Sequence, residues 1–196
     1  MPRRVDQEQR KRQITDAVVR ITVKGGLASA TFREVAAEAG VSVRLVQYYF
    51  GTKDQLLLDT QRHVAERSVA RIQRLLADLG EDPEPRDVLR TIMRSFVPVD
   101  AETHQAMLMY VVLFTASLVD PVLKRAEAAD VPASMRDAFA HQLRRARLRT
   151  GVDPDREALV LLTLVTGLAQ GVLDGQISAP EAFATIDYSL DRVLRS

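Results

Sequence analysis

The sequence predicts an all-α protein of about nine helices, with an N-terminal three-helix head followed by a C-terminal helical bundle. Three observations predict this class. Apolar residues recur at helical spacing, no stretch alternates between apolar and polar residues for long, and glycine, proline and capping residues separate the helical segments. The 196 residues, 46% of them hydrophobic, suffice for one sizeable core or two small ones. We expect the head over residues 1–52 and the second domain over 53–196.

The first helix of the head is predicted over residues 7–24. A glycine pair at positions 25 and 26 ends it, as glycine commonly does at a helix C-terminus. Four apolar residues fall at positions i, i+3, i+4 and i+7 of this segment and therefore share one helical face. These residues are Ile14, Ala17, Val18 and Ile21.

Two short helices and a tight turn follow the first helix. Thr31 and Glu34 have the spacing of a capping box, Gly40 suits the left-handed end of a helix, and Ser42 can cap the next one. Each helix is about eight residues long and the turn about three. Helices this short need a third helix to pack on. The arrangement predicts a helix-turn-helix, which places a small helix in the DNA major groove.

The third helix has the chemistry that base and phosphate contacts require. Its outward face is predicted to carry Val43, Arg44, Gln47 and Tyr48. Arginine pairs with guanine and glutamine with adenine, while tyrosine and lysine side chains suit phosphate oxygens. Residues 1–50 hold nine Arg or Lys against five Asp or Glu, which favours attraction to DNA. For Lys53, at the start of the fourth helix, simple exposure to solvent is an equal alternative.

This stretch resembles the TetR family of bacterial transcriptional regulators. Its signature is matched without gaps by Thr31, Val35, Ala36, Ala39, Gly40, Val41, Ser42, Val46, Tyr49, Phe50, Lys53 and Leu56. Gln47 replaces a tyrosine common in the family and Arg44 replaces a small residue, changes that alter the expected operator rather than the fold. The resemblance implies base or groove contacts from Arg33, Val43, Arg44, Leu45 and Gln47, and phosphate contacts from Thr31, Tyr48, Tyr49 and Lys53.

Six further segments complete the predicted helices. The fourth helix begins after Thr52 and Gln55, a second capping-box pattern, and runs for about 27 residues. Asp120 and Pro121 start a segment that Pro132 breaks or kinks before a helix resumes. The remaining predicted ranges are 86–97, 101–118, 134–149, 155–174 and, after the capping box of Ser178 and Glu181, a last helix to about 194.

The eighth helix, over 155–174, is apolar nearly all round. Such a helix must be covered on several sides, which is difficult for a near-terminal helix of a monomer this small. We therefore expect the eighth and ninth helices to form a two-fold homodimer interface, as the family resemblance also implies. Gly167 and Gly171 would let a neighbouring helix approach closely. A buried helix inside a monomer is the alternative.

An apolar pocket for a small effector is predicted between the helices of the second domain. Methionine and aromatic side chains adapt to irregular ligands, although plain core packing explains each residue equally. Two polar residues on the eighth helix could orient a ligand or face the dimer seam. The candidates are Met93, Phe96, Met107, Tyr110, Phe114, Thr166 and Gln170.

Several classes of function are disfavoured. The chain contains no cysteine, which excludes disulfides, thiol catalysis and zinc-finger sites, and its lone histidines His104 and His141 lack metal-ligand spacing. We find no catalytic constellation and expect no enzyme, cofactor or metal. The absence of a long apolar run or signal-like N-terminus predicts a cytoplasmic protein that does not use a membrane.

The expected function is a ligand-responsive DNA-binding regulator. It would act as a repressor that leaves double-stranded operator DNA when a small apolar or amphipathic effector binds, because effector and DNA would favour different conformations. The alternatives are an activator, an effector-independent architectural protein, and an all-helical enzyme or small-molecule carrier that retains the head. Sequence does not separate an activator from a repressor.

Overall fold

The computed structural model describes residues 2–118 and 131–195. This part of the chain is all-helical and contains no β-strand, although an isolated antiparallel bridge joins Leu148 to Leu194. A 3-10 turn at Leu27–Ser29 follows the first helix. The described residues form nine α-helices: α1 (Pro2–Gly25), α2 (Phe32–Ala39), α3 (Val43–Phe50), α4 (Lys53–Ala77), α5 (Pro85–Phe96), α6 (Ala101–Ser117), α7 (Val131–Arg145), α8 (Pro154–Leu173) and α9 (Ala179–Val193).

The predicted caps of the two short helices form as expected. The Thr31 hydroxyl accepts a hydrogen bond from the Glu34 amide at 3.2 Å, and the Ser42 hydroxyl accepts from the Leu45 amide at 3.2 Å. Gly40 ends α2 with φ of +64°, a left-handed conformation that glycine adopts at little cost. Local sequence therefore determines where α2 ends and where α3 begins.

Only half of the capping box predicted at α2 is present. The Thr31 amide, which a Glu34 carboxylate would have bound, donates to the Ser29 carbonyl at 2.8 Å instead. At α4 the Thr52 hydroxyl accepts from the Gln55 amide at 3.1 Å, but the Gln55 side chain donates to Asp59 rather than returning to the cap. Nearby groups compete for these side chains, and in both cases the single cap bond is enough to start the helix.

The chain divides into two compact units. The first unit combines Met1–Arg67 with a segment that begins at Leu108, and the second combines Ser68–Met107 with Ala129–Ser196. Both α4 and α6 consequently contribute residues to each unit. These units are not the ranges 1–52 and 53–196 of the sequence-based division, which concerned function and remains a prediction.

The core of the first unit is built from α1, α2, α3, the start of α4 and the end of α6. Apolar side chains from all five helices form one buried cluster. The predicted apolar face of α1 is buried in this cluster, except that Ile21 is half-buried and packs against the cluster. The buried members from the short helices are Val35, Ala36, Ala39, Val46 and Phe50.

The core of the second unit is made by α5, α7, α8 and α9. Each helix contributes an apolar stripe, with Leu89 and Met93 from α5 and Phe139 and Leu143 from α7 fully or almost fully buried. Polar side chains cap the helix starts as predicted: the Asp100 carboxylate accepts from the Thr103 amide at 2.8 Å. Asp153 caps α8, and Ser178 with Glu181 forms a complete capping box at α9.

The helix predicted over 134–149 is displaced towards the N-terminus, whereas the helix start predicted at Asp120 and Pro121 lies outside the described residues. The observed helix α7 begins at Val131, so that Pro132 is its second residue, and it ends at Arg145 instead of continuing to about 149. The helix stops because residues 147–149 pair with the end of the chain: the Arg149 amide donates to the Val193 carbonyl at 2.9 Å, and the Arg195 amide to the Arg147 carbonyl at 2.8 Å.

The helix α8 differs from the expectation that it is apolar all round and therefore covered. One stripe is buried, including Leu161 and Val165, but Leu159 and Val160 are 53% and 55% exposed. By length and mean hydropathy α8 is the one described helix that could cross a membrane, against the expectation of none. Its packing against α5, α7 and α9 makes it a core helix of the second unit.

The glycines of α8 also have different surroundings. A Cβ added at Gly167 would meet no atom within 4 Å, whereas one added at Gly171 would lie 2.6 Å from Cδ1 of Ile177. The prediction that Gly171 admits a neighbouring helix is therefore wrong. Its missing side chain makes room for Ile177 in the turn that leads to α9.

Candidate nucleic-acid interface

The helix α3 buries one side and presents the other to solvent. Val46 is fully buried and Phe50 nearly so, and both anchor α3 in the core of the first unit. On the opposite side Val43 is 38% exposed and Tyr48 73% exposed, and Arg44 and Gln47 are also exposed. The predicted outward face is therefore present, with a guanidinium, a carboxamide and a phenol available for hydrogen bonding.

The side chains assigned to DNA contacts by resemblance are mostly accessible. Thr31, Arg33 and Lys53 are exposed at the starts of α2 and α4. Leu45 and Tyr49 of α3 are less accessible, because each is half-buried. Their accessibility is compatible with the predicted roles, which remain predictions. The aromatic rings form a chain of edge-on contacts: the Tyr48 and Tyr49 centroids are 5.4 Å apart, and those of Tyr49 and Phe50 6.4 Å.

Two contacts from α1 hold α2 and the turn in position. The Arg20 guanidinium pairs with Glu38 of α2 at 2.6 Å, and the Gln13 side chain donates to the Ala39 carbonyl at 2.7 Å. The hydrogen bond from Arg20 holds the pKa of the exposed Glu38 carboxyl below its ordinary value. The last turn of α2, directly before α3, is thus tied to the longest helix of the head.

The charge of this surface suits a polyanion. No residue of α3 is acidic, and the one acidic side chain at the C-terminal end of α2 is paired with Arg20. Lys53 is exposed at the N-terminus of α4, where amide groups and the helix dipole favour an anion. An exposed lysine opposing the dipole in the free protein gains a favourable partner when a phosphate binds there.

A cluster of charged groups in the first unit was missed by the sequence reasoning. The Asp16 carboxylate of α1 lies 2.9 Å from His63 Nε2 and 3.3 Å from Arg67 Nη1, both on α4. His63 and Arg67 follow Asp16 by 47 and 51 positions, so no local pattern could have indicated these contacts. It joins the helix that supports α2 to the helix that leads out of the head.

The seven candidate effector residues fall in different surroundings. Met93 and Phe96 belong to the core of the second unit, whereas Tyr110 and Phe114 stack on each other in the first unit with centroids 5.9 Å apart. Met107 is 6% exposed. The Thr166 hydroxyl donates to the Leu162 carbonyl of its own helix at 2.8 Å, and Gln170 is exposed. As one effector site, the set remains a prediction.

No metal site is formed by the part of the chain that the structure describes. Its histidines and acidic residues nowhere form a group of three or more that could hold an ion.

A three-helix head that exposes a hydrogen-bonding helix without acidic residues, beside exposed cationic side chains, defines a DNA-binding protein of the helix-turn-helix class. Comparison with known families gives two matches along the chain. Residues 14–60 match the bacterial regulatory proteins of the tetR family, and residues 85–195 match the C-terminal domain of BetI-type transcriptional repressors. The chain belongs to the TetR family, with a C-terminal domain of the BetI type.

Curated relatives agree with this assignment along most of the sequence. The HTH-type transcriptional regulator PksA of Bacillus subtilis is 30% identical over 169 residues, which cover 86% of this chain and 81% of that protein. The HTH-type transcriptional regulator BetI of Burkholderia cenocepacia is 28% identical over 193 residues, covering 97% of this chain and 98% of that protein. The chain is therefore a transcriptional repressor of a non-enzymatic family.

Solved structures share the fold. A transcriptional regulator from Saccharomonospora viridis, crystallised in complex with choline, has a TM-score of 0.84 at 19% identity and covers 96% of this chain and 100% of its own. A TetR-family regulator from Rhodococcus has a TM-score of 0.81 at 22% identity, with coverage of 96% and 100%. These likenesses establish that the all-helical architecture is common to the group.

Proposed function

We propose that this repressor acts in the cytoplasm as a homodimer and leaves its operator when a small apolar or amphipathic effector binds in the second domain. The main support for DNA binding in this proposal is the exposed face of α3, which carries no acidic residue. Arg44 and Gln47 would read base edges, while Tyr48 and Lys53 would bind phosphates. Thr31 and Arg33, at the start of α2, would add contacts beside them.

The exposed stripe of α8 supports the homodimer. Leu159 and Val160 are each more than half exposed on a helix whose other side lies in the core, and Thr163, Gly167 and Gln170 share the exposed side. Contiguous exposed apolar surface on a soluble protein commonly marks an interface. Among the described residues, apart from the neighbouring turns of α8 itself, no atom lies within 4 Å of the position that a Cβ of Gly167 would take, which leaves room for the backbone of a second copy. Tyr188 of α9, 63% exposed, extends the same kind of surface.

A dimer explains why an effector could control DNA binding. Two recognition helices must lie about 34 Å apart to enter successive major grooves. An effector that binds better to a conformation with a different spacing weakens operator binding by linkage, and operator DNA weakens effector binding by the same factor. The effector therefore needs no contact with the DNA.

The first test is an electrophoretic mobility shift with the intergenic DNA beside the gene. We expect retardation at low salt that weakens steeply as salt rises, because phosphate contacts release counterions. Arg44→Ala should reduce it, whereas the same substitution at Arg74, exposed in the last turn of α4, serves as a control for loss of one positive charge. Absence of retardation by the wild type at low salt would contradict the proposal.

Choline is a suitable first effector probe because it is small and amphipathic and is bound by a protein of the same fold. A quaternary ammonium is attracted to aromatic faces, and Tyr110 and Phe114 offer a stacked pair. The matched neutral probe is 3,3-dimethylbutan-1-ol, in which carbon replaces the charged nitrogen. Release from DNA by choline alone supports a cationic effector, release by both supports an apolar one, and release by neither removes this class.

A further inference from the structure

A line of charged side chains joins α5 to α9 within the second unit. Arg86, Arg90 and Arg94 follow one another at intervals of four residues on α5, and Asp187 and Asp191 do so on α9, so that each set shares one helical face. Arg86 Nη1 lies 2.7 Å from Asp191 Oδ1, Arg90 Nε lies 2.8 Å from Asp187 Oδ1, and Arg94 Nη2 lies 2.7 Å from Asp187 Oδ2. The pairs run in opposite order along the two helices, which are therefore antiparallel at this contact.

The Asp187 carboxylate is shared between two guanidinium groups. Arg90 Nη2 donates to Oδ2 at 3.1 Å and Arg94 Nη2 donates to the same oxygen at 2.7 Å, while Arg90 Nε lies close to Oδ1 without forming a hydrogen bond. The Asp187 side chain is 28% exposed. Burial alone would raise the pKa of this carboxyl, but hydrogen bonds and charge from the two arginines outweigh burial and lower it. Two charge-assisted hydrogen bonds to one carboxylate oxygen thus favour the ionised form and tie Asp187 to two successive turns of α5.

Arg94 has a second partner on α9. Its guanidinium carbon lies 4.9 Å from the centroid of the Phe183 ring, one turn before Asp187. A shift of α5 along α9 would disturb the ion pair and the cation–π contact together. The outer pair is different: the side chains of Arg86 and Asp191 are 38% and 64% exposed, and a pair this exposed contributes little.

These contacts connect two helices to which the proposed function gives different tasks. The helix α5 carries Met93 and Phe96 of the predicted effector set, and α9 forms half of the proposed dimer seam. We propose that Asp187, held by Arg90 and Arg94, is a positioning residue that transmits a displacement of α5 to α9. This inference rests on the proposed function. Packed apolar side chains allow small sliding movements between helices. A carboxylate on α9 that is bonded to two arginines of α5 instead couples the positions of the two helices for as long as these bonds remain.

A plain stabilising role predicts a different result from a transmitting role, and operator DNA distinguishes the two. Linkage is reciprocal, so that a pathway from effector to operator must also carry the effect of operator binding back to the second unit. The experiment measures amide hydrogen exchange over Ala179–Val193 in the full-length repressor, free and saturated with the duplex it retards. In the wild type we expect operator to change exchange there by about fivefold, the lower range of allosteric coupling.

The decisive variant is Asp187→Asn, which keeps the size of the side chain and removes its charge. It should bind the same duplex, yet the operator-induced change over α9 should fall to less than half of the wild-type change. Arg94→Met should act in the same direction, and Asp187→Glu should restore part of the change. Arg86→Met is the matched control, since it removes a charge from the exposed end of the same line and should leave the change intact.

Three outcomes overturn the inference. Operator binding without any change over α9 in the wild type means that no signal reaches this helix. If both Asp187→Asn and Arg94→Met show the full operator-induced change in exchange over α9, the contacts of Asp187 with Arg90 and Arg94 only stabilise the fold. If the wild type binds no duplex at all, both the proposed function and this inference fail. The mobility shift alone reveals this outcome, so it is distinguishable from the other two. If Asp187→Asn is unfolded by circular dichroism, Arg94→Met decides, because it leaves the Arg90 pair in place.

Discussion

The helices α3 and α8 each leave one side open to solvent, and the two open sides differ in kind. On α3 the open side carries a guanidinium, a carboxamide and a phenol, and only Val43 among its large apolar residues is appreciably exposed. On α8 it carries Leu159 and Val160 beside a hydroxyl, a glycine and a carboxamide. The buried sides of both helices are similar apolar stripes. The difference therefore indicates different partners: hydrogen-bonding groups suit a nucleic acid, and an apolar stripe suits protein.

The largest expected effect separates the buried from the open side of α3. Phe50→Ala should destabilise the first unit by about 3–5 kcal/mol, because it removes a nearly fully buried aromatic ring and leaves a cavity. Thermal unfolding measures this loss. Tyr48→Ala, two residues away on the open side, is the control and should leave the midpoint nearly unchanged. Equal losses from both variants would mean that the open side of α3 is packed.

The second prediction tests the open side of α8. Val160→Asp should weaken dimerisation by about 100-fold, since a charge would be buried twice in a two-fold interface. Sedimentation at several concentrations measures the dissociation constant, and operator affinity should fall with it. The monomer should stay folded, because Val160 is more than half exposed. Asp155→Asn, near the start of the same helix, serves as a surface control. Unchanged association of Val160→Asp would refute the proposed seam.

The third prediction concerns base recognition by α3. Gln47→Ala should change which operator sequence is preferred and should cost about 1–3 kcal/mol at the position it reads. Selection of bound sequences from a random pool measures the preference before and after substitution. An unchanged preference, with the same ranking of sequences, would show that Gln47 does not contact a base.

The fourth prediction separates phosphate binding from base recognition. Lys53→Ala should weaken binding similarly for all sequences and should reduce the slope of log K against log salt by about one. Filter binding across a salt series measures the slope. Lys24, near the end of α1, offers the matched charge control as Lys24→Ala. A loss confined to one operator sequence would indicate a base contact instead.

The smallest expected effect is a pH dependence in the second unit. The pKa of Asp100 lies below its ordinary 3.8, chiefly because the Thr103 amide donates to the carboxylate, with Thr103 Oγ1 and Arg71 assisting against the opposing effect of burial. A carboxyl with a depressed folded pKa stabilises the fold above the unfolded value, and this contribution is lost as pH falls through the folded value.

Asp100→Asn isolates this dependence, because asparagine keeps the cap of α6 but does not titrate. Between pH 3 and pH 6 the unfolding temperature of the wild type should fall more steeply on the acid side than that of the variant. Parallel curves would show that Asp100 contributes no pH-dependent stability.

The head was predictable because its signals are local. Thr31, Gly40 and Ser42 act within four residues of their own positions, and each forms the predicted cap or turn. The period of the apolar residues placed the core of α1 correctly for the same reason, since helical spacing alone determines which residues share a face. The open side of α3 followed from the same periodicity.

The second unit was less predictable because distant residues determine its details. Arg94 and Asp187 are 93 positions apart, and the spacing of charges on α5 and α9 does not indicate which partner each one meets. The end of α7 was misplaced because a pairing with residues 193–195 replaces the last predicted turn. Likewise, composition indicated an apolar α8, but only the packing of its neighbours determines which of its sides stays open.

The ties from Gln13 and Arg20 to the end of α2 bear on how quickly the repressor can find its site. Because the reading helix is already braced when the protein is free, little ordering entropy remains to be lost on docking. The head should thus engage duplex as a rigid body during sliding, with an encounter rate governed by charge and diffusion. Loosening the brace, as in Gln13→Ala, would slow capture while leaving the chemical groups that read the sequence intact.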